Sequence, residues 1–524
     1  METKIIVWLV KTLYQLVVFI LKLIGKGLSK LLELDRARRA RSRTSPTAET
    51  PATMASASPS TPRPAAPAND PLRKRLADEL PKLTQLADGL VARCRREPAC
   101  ALLLPTFDDF VVPGLAKIAS DAPRAGDRAA VIALLVEAAR IANMLGLLEL
   151  LVQQRGDGDL VELIDDADAL AAACYLPVAD FCQERGLPLS SDRVATLFGG
   201  DCSPALARVD DPSGMAILQL PWSWLAEVHR WPAVAHEVGH DFYMSVTGLD
   251  DQLLARVGLT AVRDGGPMPT GANGFHRGHL DTIIAAWRHE LVADAFGVMM
   301  LGPAYAITTL EIFANPGDRD RTLVIDRDGD GYEAHPPAHV RAVFVCRLLQ
   351  RMGYGKVGDV LEQQWRALHG NPDRLYLPVA NGWLHLLGDM LIEPALAVGV
   401  ALYEEGFAAL EQIPLRSMPG FDFGPREHEA AERVKESMLA GARAEVKDAR
   451  LLIAGAVLAW SEQRAAGEVI LRAARLAVGK LDIAVRRARP QAAPRDDGFT
   501  AELVRESIML DVLLAPPRGS LLRR

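Results

Sequence analysis

Cysteine is scarce in this chain: six residues in 524, Cys94, Cys100, Cys174, Cys182, Cys202 and Cys346, with no C-x-x-C pair. That spacing excludes a thiolate zinc finger and a secreted disulfide scaffold, and implies reduced, buried thiols in a cytoplasmic compartment. Aromatic residues amount to only 6% and histidines to 11. Past residue 24 the sequence offers no apolar run long enough to cross a bilayer; the uncharged stretches 394–403 and 452–460 are too short. Positive charge is short in the body as well. Residues 1–43 hold ten Lys and Arg against Glu2, Glu33 and Asp35, a surplus of seven, so with −7 overall the remaining chain carries −14. An acidic body behind a basic start argues against nucleic-acid binding and directs the N-terminus toward an anionic surface.

What the chain does have is length and apolar content. At 524 residues, 49% of them hydrophobic, it exceeds one core and predicts two or three folded units. Residues 5–24, IIVWLVKTLYQLVVFILKLI, are apolar but for Lys11, Thr12, Gln15 and Lys22. On a helix, Lys4, Lys11, Gln15, Lys22, Lys26, Ser29 and Lys30 fall in one sector roughly 100° wide. Residues 1–34 therefore read as a basic amphipathic helix lying in a membrane surface. The same stretch is long enough to span, and the basic cluster Arg36 to Arg43 would then keep the body on the cytoplasmic face. Residues 35–70 turn from basic to Pro-, Ala-, Ser- and Thr-rich, a composition that cannot bury a core and reads as a disordered tether.

From residue 71 onward helical periodicity dominates, and the fold expected is mainly α. Helices are predicted over 129–153 and 159–174, around a turn at Gly156 and Gly158. One strand stands out, Met215–Leu220 (MAILQL), between Gly214 and Pro221. A helix should start at Pro232 and stop at Gly248, and a second should open with Asp281 as N-cap and close near Gly302-Pro303. The domain reading is an N-terminal helical region over 71–205, a core over 206–424 and a C-terminal helical region over 425–524.

The chemistry lies in those two helices. In Ala235-His236-Glu237-Val238-Gly239-His240 the histidines stand at i and i+4, so both imidazoles project from one helical face within reach of one Zn²⁺. Glu237 points to the side, where an attacking water would sit. A catalytic zinc needs a third protein ligand and an open position. A metzincin would have Gly at 243 and His at 246, where this chain has Tyr243 and Val246, so that subclass is excluded. In Trp287-Arg288-His289-Glu290-Leu291-Val292-Ala293-Asp294, Glu290 and Asp294 share a face at i and i+4. His276, His279 and His289 are rival ligands.

These two motifs resemble those of the gluzincin metallopeptidases, in which H-E-x-x-H is followed by a second helix with E-x-x-x-D. Within that group the pattern is most similar to the membrane-associated peptidases that include the prenyl-protein endopeptidases. The likeness covers about residues 214–345, a quarter of the chain, and its specificity rests in the two motifs. It implies a zincin-like helical core, zinc as cofactor, Glu290 as third ligand, and Asp294 as the carboxylate that hydrogen-bonds a ligand His. His335, in Ala334-His335-Pro336-Pro337-Ala338-His339-Val340-Arg341, resembles the downstream His-Pro segment with a trailing Arg, and could polarise the oxyanion, as could Tyr305. Asp241, after the second His, departs from the usual uncharged residue. Asp326 to Asp330 mimic the opening of a calcium loop, but Pro337 stands where the closing Glu belongs.

The function expected is a membrane-associated zinc endopeptidase with Glu237 as general base. Strand 215–220, read as a sheet edge before the active helix, would align an extended peptide or protein substrate. The alternatives are a zinc hydrolase of a non-peptide amide or ester, and a membrane-perturbing effector whose zinc domain regulates residues 1–34.

Overall fold

A computed structural model describes residues 70–463, apart from 157, 190, 192, 200–204, 209–214, 260–274, 316, 328–330, 380–381, 443 and 445. The amphipathic helix and the tether up to residue 69, residues 328–330 of the candidate calcium loop, and the C-terminal helical expectation beyond 463 lie outside the described residues.

The described chain is mostly helical, as expected. It opens with α1 (Pro71–Cys94), capped by Asp70, whose Oδ1 accepts from the Leu72 amide at 3.0 Å. After short helical turns come α2 (Val112–Asp121), α3 (Arg128–Arg155) and α4 (Gly158–Arg185). Leu90, Val91, Phe107, Val111, Ile118, Val131, Ile141, Leu148 and Val152 bury a first core among α1, the short turns, α2 and α3, while α4 turns Ile164, Leu170 and Val178 to a second. Two segments here, Pro98–Arg124 and α3, are long and apolar enough to cross a membrane, with mean hydropathy 1.4 and 1.9. The expectation that no later stretch reaches that threshold is thereby corrected. The physical reason is that α3 intersperses charge sparsely while packing one face into this core.

Next comes a three-stranded sheet in the order β1 (Arg193–Phe198), β3 (Met215–Leu220), β2 (Ala205–Arg208). β1 runs parallel to β3 with Arg193 opposite Met215, and β2 runs antiparallel with Ala205 opposite Gln219. The strand bounds 215–220 hold, but its placement as an edge is wrong, because β3 is the middle strand. Met215 and Ile217 face the first core while Leu218 and Leu220 face the second, larger one. A strand buried on both sides reads as a near-continuous apolar run rather than an alternation, and MAILQL is apolar but for Gln219. The sheet also joins residues from both sides of position 205, where the domain boundary was drawn.

The larger core gathers the remaining elements: α5 (Ala233–Ser245), α6 (Leu249–Arg256), α7 (Arg277–Leu301), α8 (Pro303–Phe313), α9 (Arg319–Leu323), α10 (Ala338–Arg351), α11 (Gly355–Leu368), the hairpin β4 (Arg374–Val379) with β5 (Gly382–Leu387), α12 (Asp389–Glu404), α13 (Pro425–Leu439) and α14 (Ala449–Glu462). The C-terminal pair α13 and α14 buries Val434, Met438, Leu452 and Val457 in this same core. Gly248, predicted as the stop of α5, takes φ +81° and caps the start of α6, a conformation that suits glycine.

Candidate metal centre

α5 and α7 cross where Gly239 meets Ala293. A Cβ on Gly239 would lie 2.9 Å from the Ala293 Cα and 2.8 Å from the Phe296 Cβ. Small residues at that crossing let the two backbones approach closely enough for side chains one turn away to meet. His236 and His240 come from α5, Glu290 and Asp294 from α7.

His236 Nε2 lies 3.1 Å from His240 Nε2 and 3.4 Å from Glu290 Oε2, and His240 Nε2 lies 3.3 Å from Glu290 Oε1. Ligands at about 2.0–2.1 Å from a tetrahedral zinc stand roughly 3.3 Å from one another, so the spacing suits the ion. Two imidazoles and a carboxylate are also the donor set of catalytic zinc, with one position left open. Among the described residues this is the one cluster of His, Cys, Asp and Glu that could hold a metal.

Behind the ligands, Asp294 is fully buried and lies 3.0 Å from His236 Nδ1, which leaves His236 Nε2 for the metal. Tyr305 donates to Asp294 Oδ1 at 2.6 Å. Being itself buried, it orients Asp294 rather than reaching a substrate oxyanion, which corrects that expectation. Arg341 was noted in the sequence only as the trailing residue of the His-Pro segment. Its Nε donates to Asp294 Oδ2 at 2.8 Å, its Nη2 to Oδ1 at 2.7 Å, and its Nη1 lies 2.9 Å from Glu290 Oε2. One fixed guanidinium fork thus holds both carboxylates.

The electrostatics follow from this packing. Burial opposes ionisation of Asp294, yet the Arg341 charge and the His236 hydrogen bond hold its pKa down to about 2. Glu290 is likewise held well below the usual carboxylate range, against its own burial, by Arg341 and by both histidines. Burial works against a charged His236 too, but hydrogen bonds to Asp294 and Glu290 outweigh it and raise its pKa to about 10. Metal-free protein therefore carries a proton on His236 at neutral pH, and a metal must displace it. Zinc titrated into metal-free protein at pH 7.5 is expected to release about one proton per ion, read by calorimetry in buffers of different ionisation enthalpy. Asp294→Asn should reduce that release; zinc uptake with no proton exchange would contradict this account of the site.

The remaining candidates separate cleanly. Glu237 is 6% exposed and makes no hydrogen bond or ion pair among the described residues. His335 stands at the mouth, its side chain 63% exposed, with Nε2 3.4 Å from Glu290 Oε1 and Nδ1 2.9 Å from Glu333 Oε1. His276 and His279 are not ligands but the start of α7. The His276 ring accepts from the Gly278 amide at 3.1 Å, and the His279 ring accepts from the His276 amide at 3.2 Å. They take the place predicted for Asp281, which lies inside the helix. His289 packs edge-on against Tyr243 with ring centroids 5.1 Å apart, and burial pushes its pKa down to about 4. Asp241 is completely buried. No protein family, curated protein or solved structure matches this chain.

Proposed function

We propose that this chain is a zinc-dependent hydrolase of peptide bonds, with a gluzincin-type centre of His236, His240 and Glu290. The observation that carries the reading is the contrast between the acidic side chains. Asp294 and Glu290 are tied to histidines and Arg341, while Glu237, next to His236, has no partner of its own. Zinc, when bound there, supplies a Lewis acid that activates water and polarises the scissile carbonyl. Glu237 holds the attacking water, takes its proton and hands it to the leaving amine. His335, at the mouth, donates a hydrogen bond to the oxygen that gains charge. Asp294, Tyr305 and Arg341 keep His236 in the tautomer that offers Nε2 outward.

Peptide is favoured over a simple ester because the helix that carries His236 and His240 packs against a strand that, among the described residues, pairs on one side only. With β3 enclosed, that strand is β2, the outer antiparallel one. An extended substrate can add to it by main-chain hydrogen bonds. Residues 1–34 would hold the enzyme at the cytoplasmic face of a membrane by their Lys row and apolar faces.

One experiment addresses both halves. Full-length zinc-loaded protein is incubated with a peptide library and with a panel of simple esters, with and without anionic vesicles. Chelator-sensitive peptide fragments, and co-sedimentation with vesicles that weakens as salt rises, are the expected results. Ester cleavage alone would move the assignment to a non-peptide hydrolase. Vesicle leakage without any hydrolysis would point to the membrane-perturbing effector.

A further inference from the structure

A second concavity, of about 350 Å³, opens between α9, the turn that follows α11, and the first strand of the hairpin. None of its lining residues belongs to the metal centre. Its volume sits at the small end of the 300–1,000 Å³ typical of sites for compact molecules, and is too small for a peptide.

The lining is polar and its charges are poorly balanced. Arg319 is exposed, and its guanidinium lies over the Tyr376 ring at 5.6 Å, with Nη2 3.1 Å from the Tyr376 hydroxyl. Among the described residues it has no carboxylate partner. Arg374 reaches Asp373 only at 3.9 Å, and both side chains are largely in solvent. Asp373 is the one carboxylate in the lining, so the two guanidinium groups outnumber it. At the inner side, the His369 ring packs on Trp365 with centroids 4.0 Å apart.

The turn that carries these groups is held before any ligand arrives. Arg366 Nη1 donates to the Pro372 carbonyl at 3.2 Å, and the Asn371 amide donates to the Arg366 carbonyl at 2.6 Å. Asn371 itself takes φ +53°, a left-handed conformation that Asn and Asp tolerate better than most residues.

We propose that this cavity binds a small phosphorylated ligand. Two guanidinium groups supply planar, directional donors, which suits the several terminal oxygens of a phosphate better than the two of a carboxylate. Because Arg319 stacks on an aromatic ring, its charge is presented in a fixed direction and little freedom is lost on binding.

The test is a calorimetric titration of inorganic phosphate into metal-free full-length protein at constant ionic strength. Metal-free protein keeps the zinc centre from taking up the anion. One saturable site per chain is expected in the parent. Binding should weaken at least about tenfold in Arg319→Gln/Arg374→Gln, since each charge-assisted hydrogen bond is worth roughly a decade. Asn371→Asp should weaken it comparably. That variant keeps both arginines and the left-handed turn but sets a negative charge beside the ligand, so it decides the matter if the double variant fails to fold. Equal binding in the parent and in either folded variant overturns the proposal and places the anion elsewhere, as on the N-terminal lysines. Absence of saturable binding in the parent overturns it as well.

Discussion

Glu237→Gln is expected to leave about one zinc per chain, the fold and the thermal midpoint in place, while hydrolysis falls by at least about a hundredfold. Glu237 sits between the two ligand histidines in sequence but outside the His236, His240 and Glu290 cluster. Losing its charge therefore removes no metal donor. Gln has the same size and can still accept a hydrogen bond from water, but it cannot take the proton. His236→Ala should lose zinc and activity together, and some stability with them, because a metal that binds only the folded state stabilises it. The pair of variants separates chemistry from structure. Activity near the parent's in Glu237→Gln, alongside an inactive His236→Ala, would keep zinc in the account but end the general-base role and the peptidase assignment with it.

The second large effect is on stability. Arg341→Met should destabilise the metal-free protein by about 3–5 kcal/mol, because it strands Asp294 and Glu290 as buried carboxylates without their cation. That is a sizeable part of the roughly 5–15 kcal/mol by which a domain is stable. Arg341→Lys keeps the charge but loses the fork that binds Asp294 through two nitrogens, and should fall between the two. The pH dependence distinguishes charge loss from lost packing. Asp294 has its folded-state pKa lowered from 3.8 to about 2. Its paired state therefore contributes stability that is fully present above about 4 and is lost as pH falls through about 2. Denaturant unfolding of parent and Arg341→Met should accordingly differ most near neutral pH and converge as pH drops toward 2. A gap that stays constant with pH would assign the loss to packing and remove Arg341 from the electrostatics of the site.

The stability prediction does not depend on peptide being the substrate, whereas the peptide reading leans on where one strand lies in its sheet. Met215–Leu220 is legible as a strand from its bounds, since Gly214 and Pro221 punctuate it and six residues suit one. Its position in the sheet is not legible in the same way. An edge is defined by what fails to pair, and β1 and β2 reach β3 from about 20 residues before it and from the segment just preceding it. The near-continuous apolar pattern, broken only by Gln219, is the signal for a central strand.

What the sequence determined by itself is local. Helical geometry alone sets His236 and His240 on one face of α5, and Glu290 and Asp294 on one face of α7, because neighbours at i and i+4 depend only on the 3.6-residue turn. The mainly helical character follows from composition and periodicity for the same reason. Only the tertiary structure decided which faces meet. The Gly239–Ala293 crossing brings candidate ligand atoms from positions 50 and 54 residues apart to within 3.4 Å. It also carried Arg341 across 47 residues to Asp294, where a buried carboxylate pair needs a cation. Such long-range choices are set by packing and by the cost of burying unpaired charge, and neither leaves a periodic mark along the chain.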